Sequence, residues 1–253
     1  MTSAHAFDLH GTTALVTGAG RGLGASIARG LAAAGAYTYA LSRSHAELTA
    51  LTESIASAGG QAQAVICDIT DPQAVHDVID AVEHLDVVVN NAGTNIPADF
   101  VDVTPDQLDQ MLLLNVRALF LTAQSATRKM MSNGGKGGSI INISSQMGHV
   151  GAARRTAYCM TKHAVEGLTK SMAVELAPHN IRVNTVAPTF VLTPMTEAFF
   201  KEADFRDWVM QRLPLGRLLP ADDVAAAVCY LASPAAAMIT GTSLKLDGGW
   251  TAQ

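Results

Sequence analysis

The chain has 253 residues, of which 49% are hydrophobic, 15% charged and 5% aromatic, with a formal net charge of −5. That length and apolar content can fill a large α/β core and exclude a disordered chain. The acidic balance offers no basic face to a nucleic acid, and no run approaches the roughly 20 apolar residues that a membrane span requires. The N-terminus lacks a basic start followed by an apolar run, so no signal peptide is expected. Cys67, Cys159 and Cys229 stand far apart with no CxxC, which predicts free thiols and a reducing, cytoplasmic setting. The eight histidines show no HxxxH or HExxH spacing, so no metal site is expected. So low a charged fraction also predicts that partner subunits cover part of the surface.

Short apolar runs alternate with longer helical patterns almost throughout. Strands are predicted at Thr13 to Val16, Tyr37 to Leu41, Ala64 to Cys67, Val87 to Val89, Ser139 to Ile143, Arg182 to Val186 and Ser243 to Leu246. Helices are predicted from Leu23 to Ala34, from Ala46 to Ala58, from Pro72, from Pro105 to about Met131, and from Thr156 to Ala177. Strands apolar on both faces, alternating with helices, predict one α/β domain over 1–253. Its sheet would be parallel and doubly wound (a Rossmann fold), with helices on both faces. A helical insertion at about 194–214 breaks the rhythm with Phe199, Phe200, Phe205 and Trp208, which look exposed. It reads either as a helix pair packed on the core or as a lid over a substrate cleft. Its place after the sixth strand favours the lid.

Thr17-Gly-Ala-Gly-Arg-Gly-Leu-Gly24 follows the first strand and opens the first helix. Gly18 suits a tight turn, Gly22 a close approach to a pyrophosphate, and Gly24 close helix packing. The helix N-terminus supplies donors and a positive dipole end. An NAD enzyme carries a carboxylate at the end of the second strand, whereas this chain reads Ala40-Leu-Ser-Arg-Ser44, with no acid before Glu47. Ser42, Arg43 and Arg21 therefore favour NADP(H) through a 2′-phosphate, with NAD(H) as the alternative.

Tyr158 and Lys162 stand four apart and share a helix face, with Ser145 thirteen residues earlier. A lysine ammonium beside a tyrosine is expected to bring its pKa down toward working pH. With Cys67-Asp68, Asn90-Asn-Ala-Gly93, Asn115, Pro188, Thr193 and the ending Leu246-Asp-Gly-Gly249, these motifs resemble the short-chain dehydrogenase/reductase family from about Leu9 to Gly249.

The resemblance implies that Tyr158 is the acid in carbonyl reduction and the base in alcohol oxidation. Ser145 would bind the substrate oxygen, with Ser144 its rival, Lys162 would hold the nicotinamide ribose, and Asn115 would anchor a water relay. It places the cofactor against Gly18, Arg21, Gly22, Leu23, Gly24, Ser42, Arg43, Asp68, Ile69, Asn90, Ala92, Gly93, Tyr158, Lys162, Pro188, Val191 and Thr193. Where the family has Pro-Gly, this chain has Pro188-Thr189, and threonine does not readily adopt a positive φ.

The loop Gln146-Met-Gly-His-Val-Gly-Ala-Ala-Arg-Arg155 borders the substrate in this family. Arg154 and Arg155 could clamp a carboxylate, or serve a subunit contact or solvent. Asn95 and Gln146 are further substrate candidates, although Asn95 equally suits a turn. The leading expectation is an NAD(P)-dependent oxidoreductase acting on a small secondary alcohol or ketone, namely a sugar, polyol or sugar acid. A 3-oxoacyl thioester reductase is the enzymatic alternative, and a non-catalytic nucleotide sensor the alternative of another class. The family's helix pairing implies a homotetramer.

Overall fold

Strands that are apolar on both faces can be buried only between two helical layers. The computed structural model, which describes residues 6–193 and 199–253, is built that way. The strands are β1 (Thr13–Thr17), β2 (Tyr37–Ser42), β3 (Gln61–Ile66), β4 (Val87–Asn90), β5 (Gly138–Ile143), β6 (Ile181–Pro188) and β9 (Ser243–Leu246). They form one parallel sheet in the order β3-β2-β1-β4-β5-β6-β9, with every residue of β1 and β4 buried.

Helices α1 (Gly22–Ala33), α2 (His45–Ser57) and α8 (Ala221–Ala232) bury Ile27, Leu31, Leu51, Ile55 and Val228 against one face. On the other face, α3 (Pro72–Ala81), α5 (Leu119–Ser132) and α6 (Thr156–Leu176) bury Val75, Ile79, Met130 and Leu176. The order reverses between β1 and β4, which opens a crevice at their carboxyl ends.

The expected fold class therefore stands, with local differences. β3 begins at Gln61 rather than Ala64 and leaves Cys67 out. It is an edge strand, so Gln61 and Gln63 sit on a solvated side that an apolar run does not reveal. The long helix from Pro105 is divided into α4 (Pro105–Leu112), a π-helical turn (Leu113–Ala118) and α5. Helix α8, which the sequence reading leaves out, starts with Asp222 and Asp223 at its positive end. A short parallel pair, β7 (Val191–Leu192) with β8 (Leu219–Pro220), is also additional.

In the insertion, α7 (Ala203–Met210) packs rather than projects. Phe200 is buried and Phe205 and Trp208 are half-buried around Phe190, whose ring lies 5.6 Å from Phe205 and 5.7 Å from Trp250. Pro194, and the side chain of Phe199, lie outside the described residues.

At Gly24 a Cβ would stand 2.2 Å from the Gly18 carbonyl oxygen and 2.5 Å from Asn91 Nδ2. Gly24→Ala is expected to cost about 1–3 kcal/mol in urea unfolding, whereas the same change at Gly167 on α6, where a Cβ meets nothing within 4 Å at an ordinary helical φ, should cost nothing.

Candidate active site

The crevice between β1 and β4 is held open by hydrogen bonds. Thr17 Oγ1 accepts from the Asn91 and Ala92 amides at 3.0 and 3.2 Å, and Asn91 Nδ2 donates to the Thr17 and Gly18 carbonyls at 2.9 and 3.2 Å. Gly18 and Gly22 adopt φ of 64° and 56°, a region that only glycine enters freely. A Cβ on Gly22 would meet Thr193 at an ordinary contact distance of 3.8 Å, so Thr193 lies directly beside the turn. Arg21, at the N-cap of α1, makes no side-chain cap, which leaves the first-turn amides around Leu23 and Gly24 available. Asn90 is buried, donates to Asn142 Oδ1 at 2.9 Å, and keeps its own Oδ1 without a partner. A bare glycine turn, free helix amides and an orphaned amide oxygen fit a dinucleotide.

Ser42, Arg43 and Asp68 lie beside the crevice, at or past the carboxyl ends of β2 and β3. The Thr70 amide and hydroxyl donate to Asp68 Oδ1 and hold its carboxyl below the usual range, with Arg43 Nη1 at 3.9 Å from the other oxygen. Ile69 is buried behind it. Glu47, which sequence reasoning set aside, reaches back from the first turn of α2. Its carboxylate stands 3.9 Å from Arg21 Nε and would lie 2.6 Å from a Cβ on Gly20. The missed signal was Ser44-x-x-Glu47, because Ser44 caps the Glu47 amide and turns this acid toward the glycines. Both ion pairs are exposed and worth little, so an entering phosphate can displace them.

Tyr158 and Lys162 lie on one face of α6. The Lys162 ammonium is buried, 5.6 Å from the centre of the Tyr158 ring, and donates to the Ile143 carbonyl at 2.8 Å. The expected lowering of the tyrosine pKa does not occur in this geometry. Burial pushes Tyr158 up to about 12, against the approach of Ser145, and burial pulls Lys162 down to about 8 against the charge of Glu166. With that pKa Lys162 is still mostly the ammonium at pH 7, held to the Ile143 carbonyl.

Ser145 Oγ accepts from the Met147 amide at 3.1 Å. Ser144 Oγ is buried under Gly148, where a Cβ would stand 2.8 Å from it, so Ser145 rather than Ser144 approaches the phenol. Asn115, in the π turn, is buried and bound to both the amide and the carbonyl of Thr94 at 2.8 Å, with Thr161 at 3.1 Å. Gly93 lies directly alongside, where a Cβ would be 3.2 Å from Asn115 Oδ1 and 3.8 Å from Lys162 Nζ.

The two candidate arginines diverge. Arg154, at φ 59°, points to solvent and pairs with Asp99 at 3.6 Å. Arg155 is half-buried and acts electrostatically on Tyr158 and Cys159, and its Nε has no partner. Burial, then Arg154, lowers its guanidinium pKa. A joint clamp is therefore not formed. Gln146 is buried and accepts from Ser145 Oγ at 2.9 Å, so it orients the serine, while Asn95 is exposed at the rim. Pro188 ends β6, and Thr189 avoids a positive φ, its amide donating to the Leu246 carbonyl. Val191 lies in β7. Among the described residues no cluster of His, Cys, Asp and Glu could hold a metal, and no helix is long and apolar enough to cross a membrane.

A doubly wound parallel sheet with a glycine turn at its switch point and a Ser–Tyr–Lys set opposite defines a nicotinamide-dependent oxidoreductase. The profile of the family described as enoyl-(acyl carrier protein) reductase matches residues 18–251. L-xylulose reductase of Bos taurus is 38% identical over 96% of this chain and 98% of its own. Gluconate 5-dehydrogenase of Gluconobacter oxydans is 34% identical over 97% and 96%. The crystal structure of a gluconate 5-dehydrogenase from Burkholderia cenocepacia, in complex with NADP and tartrate, is 34% identical. It covers 98% of both chains with a TM-score of 0.93. The chain belongs to the short-chain dehydrogenase/reductase family.

A lysine whose pKa falls on folding binds fewer protons when native, so its cost is present below pH 8 and is relieved as pH rises from about 8 toward 10.5. Between pH 7.5 and 9.5 this group should add about 2 kcal/mol to stability. Urea unfolding at those two values should show that increment in the difference between the wild type and Lys162→Met.

Proposed function

We propose that the chain interconverts a secondary alcohol and a ketone on a sugar acid or a related anionic, polyhydroxylated substrate, using NADP(H). The observation that carries this reading is the meeting of Ser145, Tyr158 and a buried Lys162 with the half-buried guanidinium of Arg155. The relative named for gluconate and the Burkholderia structure with NADP support the sugar acid and the cofactor, while the relative named for xylulose, a neutral sugar, supports only a polyhydroxylated carbonyl substrate.

Gly18, Arg21, Gly22, Leu23 and Gly24 would hold the pyrophosphate, Ser42 and Arg43 the 2′-phosphate, and Asp68, Ile69, Asn90, Ala92 and Gly93 the adenosine side. Pro188, Val191 and Thr193 would hold the nicotinamide, and Lys162 its ribose. The bound nicotinamide supplies or accepts the hydride at the substrate carbon. Tyr158 gives its phenolic proton to the carbonyl oxygen in reduction and takes it back in oxidation. The Ser145 hydroxyl, which rests its proton on Gln146 and accepts from the Met147 amide, would turn that proton to the substrate oxygen and stabilise charge there. Lys162 stands behind the phenol as the cation, and Asn115 fixes the Thr94 backbone beside it. Arg155, whose Nη1 donates to the Arg154 carbonyl and whose buried Nε has no partner, would turn to bind the substrate carboxylate, and the aromatic cluster of α7 would border the cleft of this single domain.

Homotetramer formation is supported by Leu113, Phe120, Met160 and Val174, apolar side chains exposed on the π turn, α5 and α6. The free thiols suit a cytoplasmic setting.

Initial rates at 340 nm with NADP⁺ and NAD⁺, on a panel of sugar acids and matched neutral polyols, test this reading. The acids and NADP⁺ should be preferred. Arg155→Gln should raise KM for the acids about tenfold or more, the worth of one charge-assisted hydrogen bond, and leave the polyols nearly unchanged. Equal losses on both series would return Arg155 to a structural role. Tyr158→Phe should lower kcat at least a hundredfold, with cofactor binding retained by fluorescence titration.

A further inference from the structure

Tyr158, Lys162 and Glu166 recur every four residues, so they form one stripe along α6, and the last of them has no part in the reaction described above. Glu166 is only 5% exposed. A carboxylate so buried is costly unless donors surround it, and here they do. Thr185 Oγ1 on β6 donates to both oxygens at 3.0 and 3.1 Å, Ser243 Oγ on β9 donates to Oε1 at 3.1 Å, and His149 Nε2 lies 3.2 Å from the same oxygen. His149 Nε2 also lies 2.8 Å from Ser243 Oγ. The turn that carries Ser144, Ser145 and Gly148 rests directly on this group. A Cβ on Gly148 would stand 3.1 Å from both Glu166 Cγ and the Lys162 carbonyl.

We infer that Glu166 is a positioning residue for the reaction centre, its buried carboxylate favouring the ammonium form of Lys162 and fastening the Ser145 turn to β6 and β9. The inference rests on the reading of Lys162 given above. Two unit charges one helical turn apart in a dry interior interact far more strongly than on a surface. Lys162 gains from this carboxylate part of what it loses by burial. The other groups that face Glu166 are few. Thr185 and Ser243 do not ionise, His149 is partly exposed at the end of the Ser145 turn, and on α6 Lys170 lies a turn beyond, at the surface. Among the described residues, His149 is the titratable side chain that touches the carboxylate from outside α6.

The test uses the full chain, with lysine 13Cε resonances followed by NMR and Lys162 assigned by its loss in Lys162→Met. Glu166→Gln keeps the side-chain shape and removes the charge. It should move the Lys162 midpoint and the alkaline limb of kcat/KM to lower pH by about one unit, which is tenfold in the protonation constant. Below that limb kcat should stay within about threefold. Where Glu166→Gln is not recovered folded, His149→Arg sets a permanent cation against the same carboxylate and should move both readouts the same way.

An unmoved midpoint in a folded variant overturns the inference, whatever the activity. A midpoint that moves without the rate profile overturns the reading of Lys162 in the reaction, so the two failures are told apart. A fall in kcat at every pH with no shift would leave only a structural carboxylate and also overturn it.

Discussion

The reversal of strand order between β1 and β4 is the constraint on which the rest of the molecule depends. Successive crossovers run outward in opposite directions from that point, so no helix covers the carboxyl ends of these two strands. Left alone, the gap would expose backbone groups and invite collapse. Thr17 and Asn91 prevent this, one from each strand, by satisfying the Gly18 carbonyl and the Asn91 and Ala92 amides across the gap. Because that bracing is made of side chains at strand ends, the glycine turn above it remains bare. Everything that faces a nucleotide is arranged around this braced opening.

Opposite the opening stand groups that the fold itself disfavours. A phenol pushed up to about 12 is further from easy proton exchange at neutral pH than it would be in water, while a lysine with almost no contact with solvent, pulled down to about 8, is held as a cation at a cost. Their burial comes from the same close packing of α6 on β5 and β6 that fixes their geometry. The chain offsets it with polar groups in the interior: the Ile143 carbonyl on the ammonium, and a carboxylate embedded in hydroxyls one turn along. Stability is therefore spent where precision of placement is required, a pattern expected of sites rather than of cores.

Much of this was legible in the sequence, and for identifiable reasons. Apolar runs such as Val87–Val89 announce buried parallel strands because both faces need cover, and glycines before a helix announce a turn no side chain could fill. The misses are equally physical. Gln61 and Gln63 extend an edge strand that has no apolar signature. Glu47 lies one turn into a helix and reaches the glycines only because Ser44 caps that helix. Arg154 and Arg155 are neighbours in sequence, yet a left-handed φ at the first sends them in different directions, and no pattern of residue types encodes that. The burial that raises the pKa of Tyr158 is likewise hidden, since proximity of charges is visible in spacing whereas depth of burial is not.

The π-helical turn at Leu113–Ala118 has a consequence for how this chain can change length. Such a turn holds one residue more than the α-helix around it, and each helical residue advances the face by about 100°. Its extra residue lets Asn115 reach the Thr94 backbone while Thr122, Ala126 and Met130 keep their phase against the sheet. Removing one residue here would restore ordinary helical hydrogen bonding and yet rotate either Asn115 out of the cleft or α5 out of the core. Loops such as Asn133–Gly138 can gain or lose residues at small entropic cost. This stretch, which looks like plain helix, has its residue count fixed by two partners at once.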